Sequence, residues 1–304
     1  MSDETFTLPA FAKINLSLRV LGRRADGYHE LRTIFQTISL RDELTFESST
    51  GERIEVLCSA PDIPADEGNL VHRAATALRE RFGVRRGARI RLEKKIPAGG
   101  GLGGGSSDAA AALVGLTRLW GVETEVSELA EIGARLGADV PFFLTGGMAL
   151  GTGTGADITP LKDAARRHLV LVTPRARVST AEAYGAIGVT ALTKAESAVI
   201  LPISHMEAES HDSLREVWSN DFELVVFRLF PEIERARDAL IEAGARRAML
   251  SGSGSSVFGV FDRESEAGRA QGALVAEDGW QVFSCATLSR REYRQAFGQG
   301  AAIL

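Results

Sequence analysis

Hydrophobic and polar residues alternate near the start of the chain. Ala12, Ile14, Leu16, Leu18 and Val20 are apolar, and the four residues between them are polar. This two-residue period predicts a β-strand with one buried face, because successive side chains of a strand point to opposite sides. Shorter apolar runs predict three more strands in the first half of the chain, at residues 44–47, 53–58 and 89–93.

Other segments of the first half have the apolar spacing of amphipathic helices. This spacing predicts helices at residues 69–82, 106–120 and 126–136. Gly83 follows the first of these helices and Gly137 follows the third, and glycine at that place is a typical helix stop signal.

The second half of the chain predicts a separate unit of mixed strands and helices. Strands are predicted at residues 168–173, 248–251, 256–261 and 281–286, and helices at 180–187, 221–243 and 264–276. The order strand, helix, strand, strand, helix, strand is that of a ferredoxin-like α+β domain. We therefore predict two domains, residues 1–164 and residues 165–304, with the boundary between residues 161 and 167.

Composition narrows the class of protein. A chain of 304 residues is long enough for about two domains. Its net charge of −5 argues against a nucleic-acid-binding protein, which would carry a basic surface. The most apolar stretch, residues 132–150, contains Arg135 and Asp139, which predicts a core segment and no membrane span. The N-terminus has no apolar run, and Cys58 and Cys285 lie far apart, so we expect a cytoplasmic protein with reduced thiols.

The most informative segment is glycine-rich. Six glycines and two serines lie between Pro97 and Asp108, after a predicted strand and before an alanine-rich helix. Glycine allows a phosphate group to approach the main chain, and the start of a helix attracts anions. Ser106 and Ser107 are predicted to cap the helix, and their hydroxyls are also suitable ligands for phosphate or a metal ion.

Three families of phosphate loop compete for this segment. The P-loop pattern fails because no lysine follows the glycines. The dinucleotide pattern matches at Gly99, Gly101 and Gly104, but the preceding strand ends in charged residues, whereas a parallel strand of that fold is buried on both faces. The third family is that of the galactokinase, homoserine kinase, mevalonate kinase and phosphomevalonate kinase (GHMP) proteins. Pro97, the run Gly101-Leu102-Gly103 and the serine pair resemble its phosphate motif.

The resemblance to the GHMP kinases extends over most of the chain. Further similar blocks lie at residues 12–16, 27–31, 137–143, 220–223 and 251–256. The resemblance implies an α+β two-domain GHMP kinase fold, with an N-terminal ATP-binding domain like domain 2 of ribosomal protein S5 and a C-terminal ferredoxin-like domain. It also implies ATP as the phosphoryl donor, Mg²⁺, and a small-molecule alcohol as the acceptor. We also expect a monomer or weak homodimer, without nucleic-acid or membrane partners.

The blocks at residues 12–16 and 27–31 resemble one branch of that family, which phosphorylates the 2-hydroxyl of a cytidine diphosphate-linked methylerythritol. An acceptor of the mevalonate or homoserine type is the alternative. Two alternative functions outside this interpretation are a nicotinamide dehydrogenase and a catalytically silent nucleotide-binding protein.

The resemblance assigns two catalytic residues. Asp139 would orient or deprotonate the acceptor hydroxyl, and Lys13 would lie beside it and the incoming phosphoryl group. Taken without the resemblance, Asp139 is a typical cap of the helix before Pro141, and Lys13 is a typical solvent-facing strand residue.

Local chemistry and the resemblance together assign the ATP site. The assigned residues are Asn69, Leu70, Lys94, Pro97, Gly99, Gly101, Leu102, Gly103, Gly104, Gly105, Ser106 and Ser107. Lys94 has a second interpretation as a solvated charge at the end of a strand. For Asp108 we favour a helix cap over a Mg²⁺ ligand.

The acceptor site is assigned on chemistry and resemblance together. Tyr28 is expected to stack on a cytosine ring and the neutral imidazole of His29 to read its edge. Tyr184 is expected to be a second stacking aromatic, with a core position as the alternative. Asn15, Thr154, Gly252 and Ser253 complete the predicted acceptor site. The alternative for Thr154 is a surface turn, and for Gly252 and Ser253 it is a tight glycine hairpin.

Overall fold

The computed structural model describes residues 5–188 and 218–304. One sheet has seven strands, in the order β3, β4, β2, β1, β8, with β5 beside β2 and β6 beside β5. The strands are β1 (Phe6–Arg23), β2 (His29–Ser49), β3 (Ile54–Cys58), β4 (Gly87–Glu93), β5 (Met148–Thr152), β6 (Asp157–Pro160) and β8 (Ser219–Asn220). Four helices accompany this sheet: α1 (Leu70–Phe82), α2 (Gly104–Trp120), α3 (Val126–Leu136) and α4 (Val140–Thr145).

The second sheet confirms the predicted ferredoxin-like unit. Its strands are β7 (His168–Thr173), β9 (Arg247–Leu250), β10 (Val257–Phe261) and β11 (Gln281–Ala286). They are ordered β11, β7, β10, β9 and every neighbouring pair is antiparallel. The helices of this half are α5 (Thr180–Ile187), α6 (Glu223–Leu229), α7 (Pro231–Glu242), α8 (Glu264–Leu274) and α9 (Arg290–Ala296).

Strand β2 is much longer than the predicted segment 44–47. It pairs with β1 from Phe6 to Arg23, with register shifts at three places. Polar side chains such as Thr33, Gln36 and Thr37 are buried in this strand, so its first half has no regular alternation for sequence analysis to detect. The short strands β5 and β6 were missed as well.

Two helix predictions need correction. The single helix predicted at residues 221–243 is two helices, because Pro231 ends one and begins the next. Helix α2 begins at Gly104, and Gly103 occupies its N-cap position with φ of 71° and no side-chain capping bond. The predicted caps, Ser106 and Ser107, therefore lie inside the first turn of α2.

Three apolar cores lie within the described part of the chain. One lies between the large sheet and helices α1 to α4, and Tyr293 and Phe297 from the end of the chain pack into it. A second packs helices α6 to α8 against the small sheet. The third lies between the two sheets and contains Ile14 and Leu16 of β1. The division at residues 164 and 165 stays a prediction. None of the helices in the described ranges is long and apolar enough to cross a membrane.

Candidate active site

The glycine-rich loop has the backbone shape that a phosphate site requires. Gly99, Gly101 and Gly103 all have positive φ, between 71° and 75°. At Gly103 a side chain is excluded, because a Cβ there would lie 2.7 Å from the ring of Phe143. The chain then enters α2, whose free N–H groups and positive dipole end point back into the loop.

A second loop, between β9 and β10, packs against the first. The backbone N–H of Ser256 donates to the carbonyl of Gly100 at 3.1 Å, and the Ser251 hydroxyl donates to that of Gly101 at 3.1 Å. Asn220 holds this second loop from behind: its side-chain amide donates to the carbonyls of Leu250 and Gly252. The motif at residues 251–256 therefore closes over the glycine-rich loop, as the resemblance implied.

Two cavities meet at this pair of loops. The smaller, about 380 Å³, is lined by every residue of the predicted ATP site except Ser107. The larger, about 1290 Å³, is lined by both predicted catalytic residues and by all seven predicted acceptor-site residues. Gly101 and Gly103 line both cavities, so the place where they join is the glycine-rich loop itself.

Lys13 lines the larger cavity together with Gly101 and Gly103 of this junction. Its ammonium is buried, lies 3.4 Å from the carboxylate of Asp139 and donates to Asn15 Oδ1 at 2.6 Å. Asn15 in turn donates to the Thr33 hydroxyl at 2.7 Å. The backbone N–H of Lys13 donates to the carbonyl of Leu102, which fixes β1 to the glycine-rich loop. Lys13 is therefore not the solvent-facing lysine of the alternative interpretation.

Asp139 occupies the N-cap position of α4 but does not cap it. Its side chain accepts no hydrogen bond from the helix, and about a third of it is exposed to the larger cavity. The carboxylate is therefore available to a bound molecule, with the Lys13 ammonium beside it.

Four of the described aromatic side chains line the outer part of the larger cavity. The rings of His29 and Tyr184 stack at 4.5 Å, and Phe222 packs edge-on against Tyr184. Tyr28 is 66% exposed at the same cavity. Burial, together with the charge of Arg23, lowers the pKa of His29, which favours the neutral imidazole.

Comparison with known proteins identifies the family. Residues 69–147 match the model of the GHMP kinases N-terminal domain, and residues 200–279 match that of the GHMP kinases C-terminal domain. The chain is 42% identical to a 4-diphosphocytidyl-2-C-methyl-D-erythritol kinase of Prosthecochloris aestuarii, over 90% of this chain and 95% of that one. The chain belongs to the GHMP kinase family, in the branch of the 4-diphosphocytidyl-2-C-methyl-D-erythritol kinases.

Other relatives agree with this assignment. A kinase of the same name from Citrifermentans bemidjiense is 42% identical over 92% of this chain and 98% of its own. A crystal structure of 4-(cytidine 5'-diphospho)-2C-methyl-D-erythritol kinase superposes with a TM-score of 0.76 at 36% identity, over 93% and 99% of the two chains. A homoserine kinase from Cytophaga hutchinsonii, at 22% identity and a TM-score of 0.67 over 95% and 96% of the two chains, shows the shared fold alone. The predicted family, fold and kinase activity are confirmed.

A buried charge cluster under the phosphate loop of this GHMP kinase corrects two interpretations. The ammonium of Lys94 contacts Asp42 Oδ2 at 2.5 Å and Asp108 Oδ2 at 2.7 Å, and all three side chains are at most 7% exposed. Lys94 is therefore not a solvated strand-end charge, and Asp108 is not a helix cap. Asp42, which also accepts the backbone N–H groups of Lys95 and Ile96, was missed.

The cluster predicts an unusual pH dependence of stability in this kinase. Burial raises the pKa of Asp108 to about 7, although the charge of Lys94 and its hydrogen bond to Asp108 act to lower this pKa. The folded protein then keeps a proton that the unfolded chain releases near pH 4, so this group makes the free energy of unfolding fall as pH rises from about 4 to about 7. Asp108→Asn keeps the shape and removes the titration. We expect the variant to gain at least about 1 kcal/mol relative to wild type between pH 5 and pH 8.

Urea unfolding at the two pH values measures this difference. Asp62→Asn is the control, because it removes one carboxylate from an exposed position. Parallel stability profiles for wild type and Asp108→Asn would show that Asp108 does not carry the proton.

Asn69 already has a structural role in this kinase. Its Oδ1 caps α1 by accepting the N–H of Val71, and its Nδ2 donates to the carbonyl of Pro64. Asn69 and Leu70 border the smaller cavity through this cap, and their contact with the nucleotide stays a prediction. Thr33, Asn220 and Phe222 are site residues to which sequence analysis assigned no role. Asn220 and Phe222 lie in the similar block at residues 220–223, whereas no local pattern marks Thr33.

Proposed function

We propose that the chain transfers the γ-phosphoryl group of ATP to the 2-hydroxyl of 4-diphosphocytidyl-2-C-methyl-D-erythritol, giving the 2-phosphate and ADP. The observation that carries this proposal is the junction of the two cavities at Gly101 and Gly103, with Lys13 and Asp139 facing it. A nucleotide in the smaller cavity and an acceptor in the larger one would meet there. The names of the most similar relatives support this acceptor.

The roles of Lys13 and Asp139 follow from their surroundings. Asp139 holds the acceptor hydroxyl and takes its proton while the hydroxyl oxygen bonds to the γ-phosphorus and the bond to ADP breaks. Lys13, held by Asn15, stabilises the negative charge on the transferred group. Phosphoryl transfer through a loose transition state gains mainly from positioning and charge stabilisation, so a carboxylate next to an ammonium suffices as the base.

The residues present fit a Mg²⁺ ion that arrives with ATP. Proteins usually hold such an ion with few side chains, because phosphate oxygens and waters supply the other ligands. The Ser107 hydroxyl is buried at the start of α2 without a hydrogen-bond partner in the described ranges, and Ser106 lies beside it. We propose that the Ser106 hydroxyl, which belongs to a residue lining the smaller cavity, would hold the ion together with the phosphates, and the ion would neutralise phosphate charge. Within those same ranges no group of three acidic, His or Cys residues offers another metal site.

The aromatic residues of the larger cavity favour an acceptor with a base. Mevalonate and homoserine have no ring to stack, whereas Tyr28, His29 and Tyr184 form a group of rings in the cavity. Thr154, in the turn between β5 and β6, and Gly252 and Ser253 in the second loop are proposed to line the rest of the acceptor.

ADP release in the presence of ATP, Mg²⁺ and each acceptor tests the proposal. We expect turnover with 4-diphosphocytidyl-2-C-methyl-D-erythritol and none with mevalonate or homoserine at the same concentration. Turnover with one of the latter alone would keep the phosphate site and refute the acceptor.

Tyr28→Ala tests the base pocket separately. Loss of one stacking ring costs about 1–3 kcal/mol, so we expect KM for the cytidine substrate to rise at least about fivefold. KM for ATP should not change, because Tyr28 lines only the larger cavity. Tyr28→Phe keeps the ring and is the matched control. Equal KM values for the Ala and Phe variants would remove Tyr28 from base recognition.

We also propose that the enzyme acts in the cytoplasm, as a monomer or weak homodimer, without nucleic-acid or membrane partners. Cys58 and Cys285 are free thiols, as expected of a reducing compartment. Burial raises the pKa of Cys285 to about 12, which keeps that thiol protonated and unreactive.

A further inference from the structure

A third cavity, of about 510 Å³, lies between the two sheets. We call it the seam cavity. None of its described lining residues also lines either cavity of the active site. Its volume falls within the range of about 300–1,000 Å³ that is typical of small-molecule sites.

One side of the seam cavity is apolar. Ile14 and Leu16 of β1 face Leu169 of β7 and Val260 of β10 across the third core. Binding of an apolar group against this side is favourable, because it removes apolar surface from water.

The other side of the seam cavity is cationic. Arg167, Arg246 and Arg247 line it, and Asp262 is the single acidic residue among the lining residues that the structure describes. Asp262 pairs with Arg246, and Arg247 donates to the carbonyl of Trp218. Arg167 is a half-buried residue, and its guanidinium has no hydrogen-bond or ion-pair partner within residues 5–188 and 218–304. Its backbone is fixed by hydrogen bonds to Thr287.

We propose that the seam cavity binds a small amphiphilic anion, with its apolar body against Ile14 and Leu16 and its anionic head on Arg167. Within residues 5–188 and 218–304, the lining carries three guanidiniums against one carboxylate. A guanidinium is a strong bidentate partner for phosphate and carboxylate groups. The site is placed to influence catalysis, because Ile14 and Leu16 alternate along β1 with Lys13 and Asn15. A ligand in the seam cavity would lie on the opposite face of the catalytic strand.

Calorimetric titration with n-octyl phosphate tests the proposal. We expect saturable binding of n-octyl phosphate that persists in the presence of a saturating ATP analogue. Inorganic phosphate has only the anionic head and octan-1-ol only the apolar body, so each should bind at least about tenfold more weakly. Arg167→Gln should weaken binding of n-octyl phosphate at least about tenfold. The matched control is Arg166→Gln, because Arg166 is exposed and paired with Glu292 outside the cavity.

Trp218 reports the location of the ligand. Its ring lines the seam cavity, so binding should change the tryptophan fluorescence of the wild type and not that of Trp218→Phe. Urea unfolding midpoints check that each variant is folded. If Arg167→Gln does not fold, Arg246→Gln takes its place, because the side chain of Arg246 is largely exposed. Equal affinities for Arg166→Gln and Arg167→Gln, no binding by the wild type, or inorganic phosphate binding as tightly as n-octyl phosphate would each overturn the proposal.

Discussion

Asp139→Asn is expected to lower kcat by about 10²–10⁴ and to leave the affinity for ATP unchanged. The asparagine side chain has the size of the aspartate but takes no proton from the acceptor hydroxyl, and positioned proton transfer contributes a factor of that size. ATP affinity is spared because Asp139 lines the larger cavity and not the smaller one. Single-turnover phosphoryl transfer, together with equilibrium binding of an ATP analogue, measures the two quantities.

Two further variants make this result specific. Asp26→Asn is the matched control, because Asp26 lines the same cavity but binds the backbone N–H of Tyr28 at its outer end. We expect it to change KM at most. Lys13→Met should lower kcat as strongly as Asp139→Asn, and the double variant should lose little more, since residues that act as a unit are not additive. A kcat for Asp139→Asn within tenfold of the wild type would remove Asp139 from the chemistry.

The part of the site that sequence analysis predicted depends on local patterns. The period of β1 places Lys13 and Asn15 on one face of one strand, and the structure has them in hydrogen-bond contact. The glycine-rich loop is also a local signal, because positive φ at Gly99, Gly101 and Gly103 is a property of a few consecutive residues.

What the sequence did not predict depends on long-range register. Asp42 reaches Lys94 because β2 pairs with β4 so that Glu43 lies opposite Glu93. A strand whose polar residues are buried gives no period from which to derive that register. The stack of His29 on Tyr184 also depends on a long-range contact, because Tyr184 lies on α5 in the other half of the chain. Only the family resemblance placed these two rings together.

Gly101→Ala is expected to have the largest effect on the free energy of unfolding among single substitutions in the phosphate loop. Gly101 has φ of 75°, and an added Cβ would lie 2.1 Å from the carbonyl oxygen of Ser251. The positive φ alone costs about 1–2 kcal/mol. The clash adds to this cost, because the second loop must move away from the first. We expect a total loss of about 3 kcal/mol or more and loss of nucleotide binding, measured by urea unfolding and by titration with an ATP analogue.

Two neighbouring glycines separate the clash from the strain. Gly99 also has positive φ, but nothing lies within 4 Å of its added Cβ, so Gly99→Ala should cost only the backbone strain of about 1–2 kcal/mol. Gly105 lies in α2 with its added Cβ at 3.5 Å from Leu70, so Gly105→Ala should cost no stability. If Gly101→Ala destabilised the protein no more than Gly99→Ala, the two loops would not be in contact. The junction of the two cavities would then lack the support from Ser251 on which the proposed transfer geometry depends.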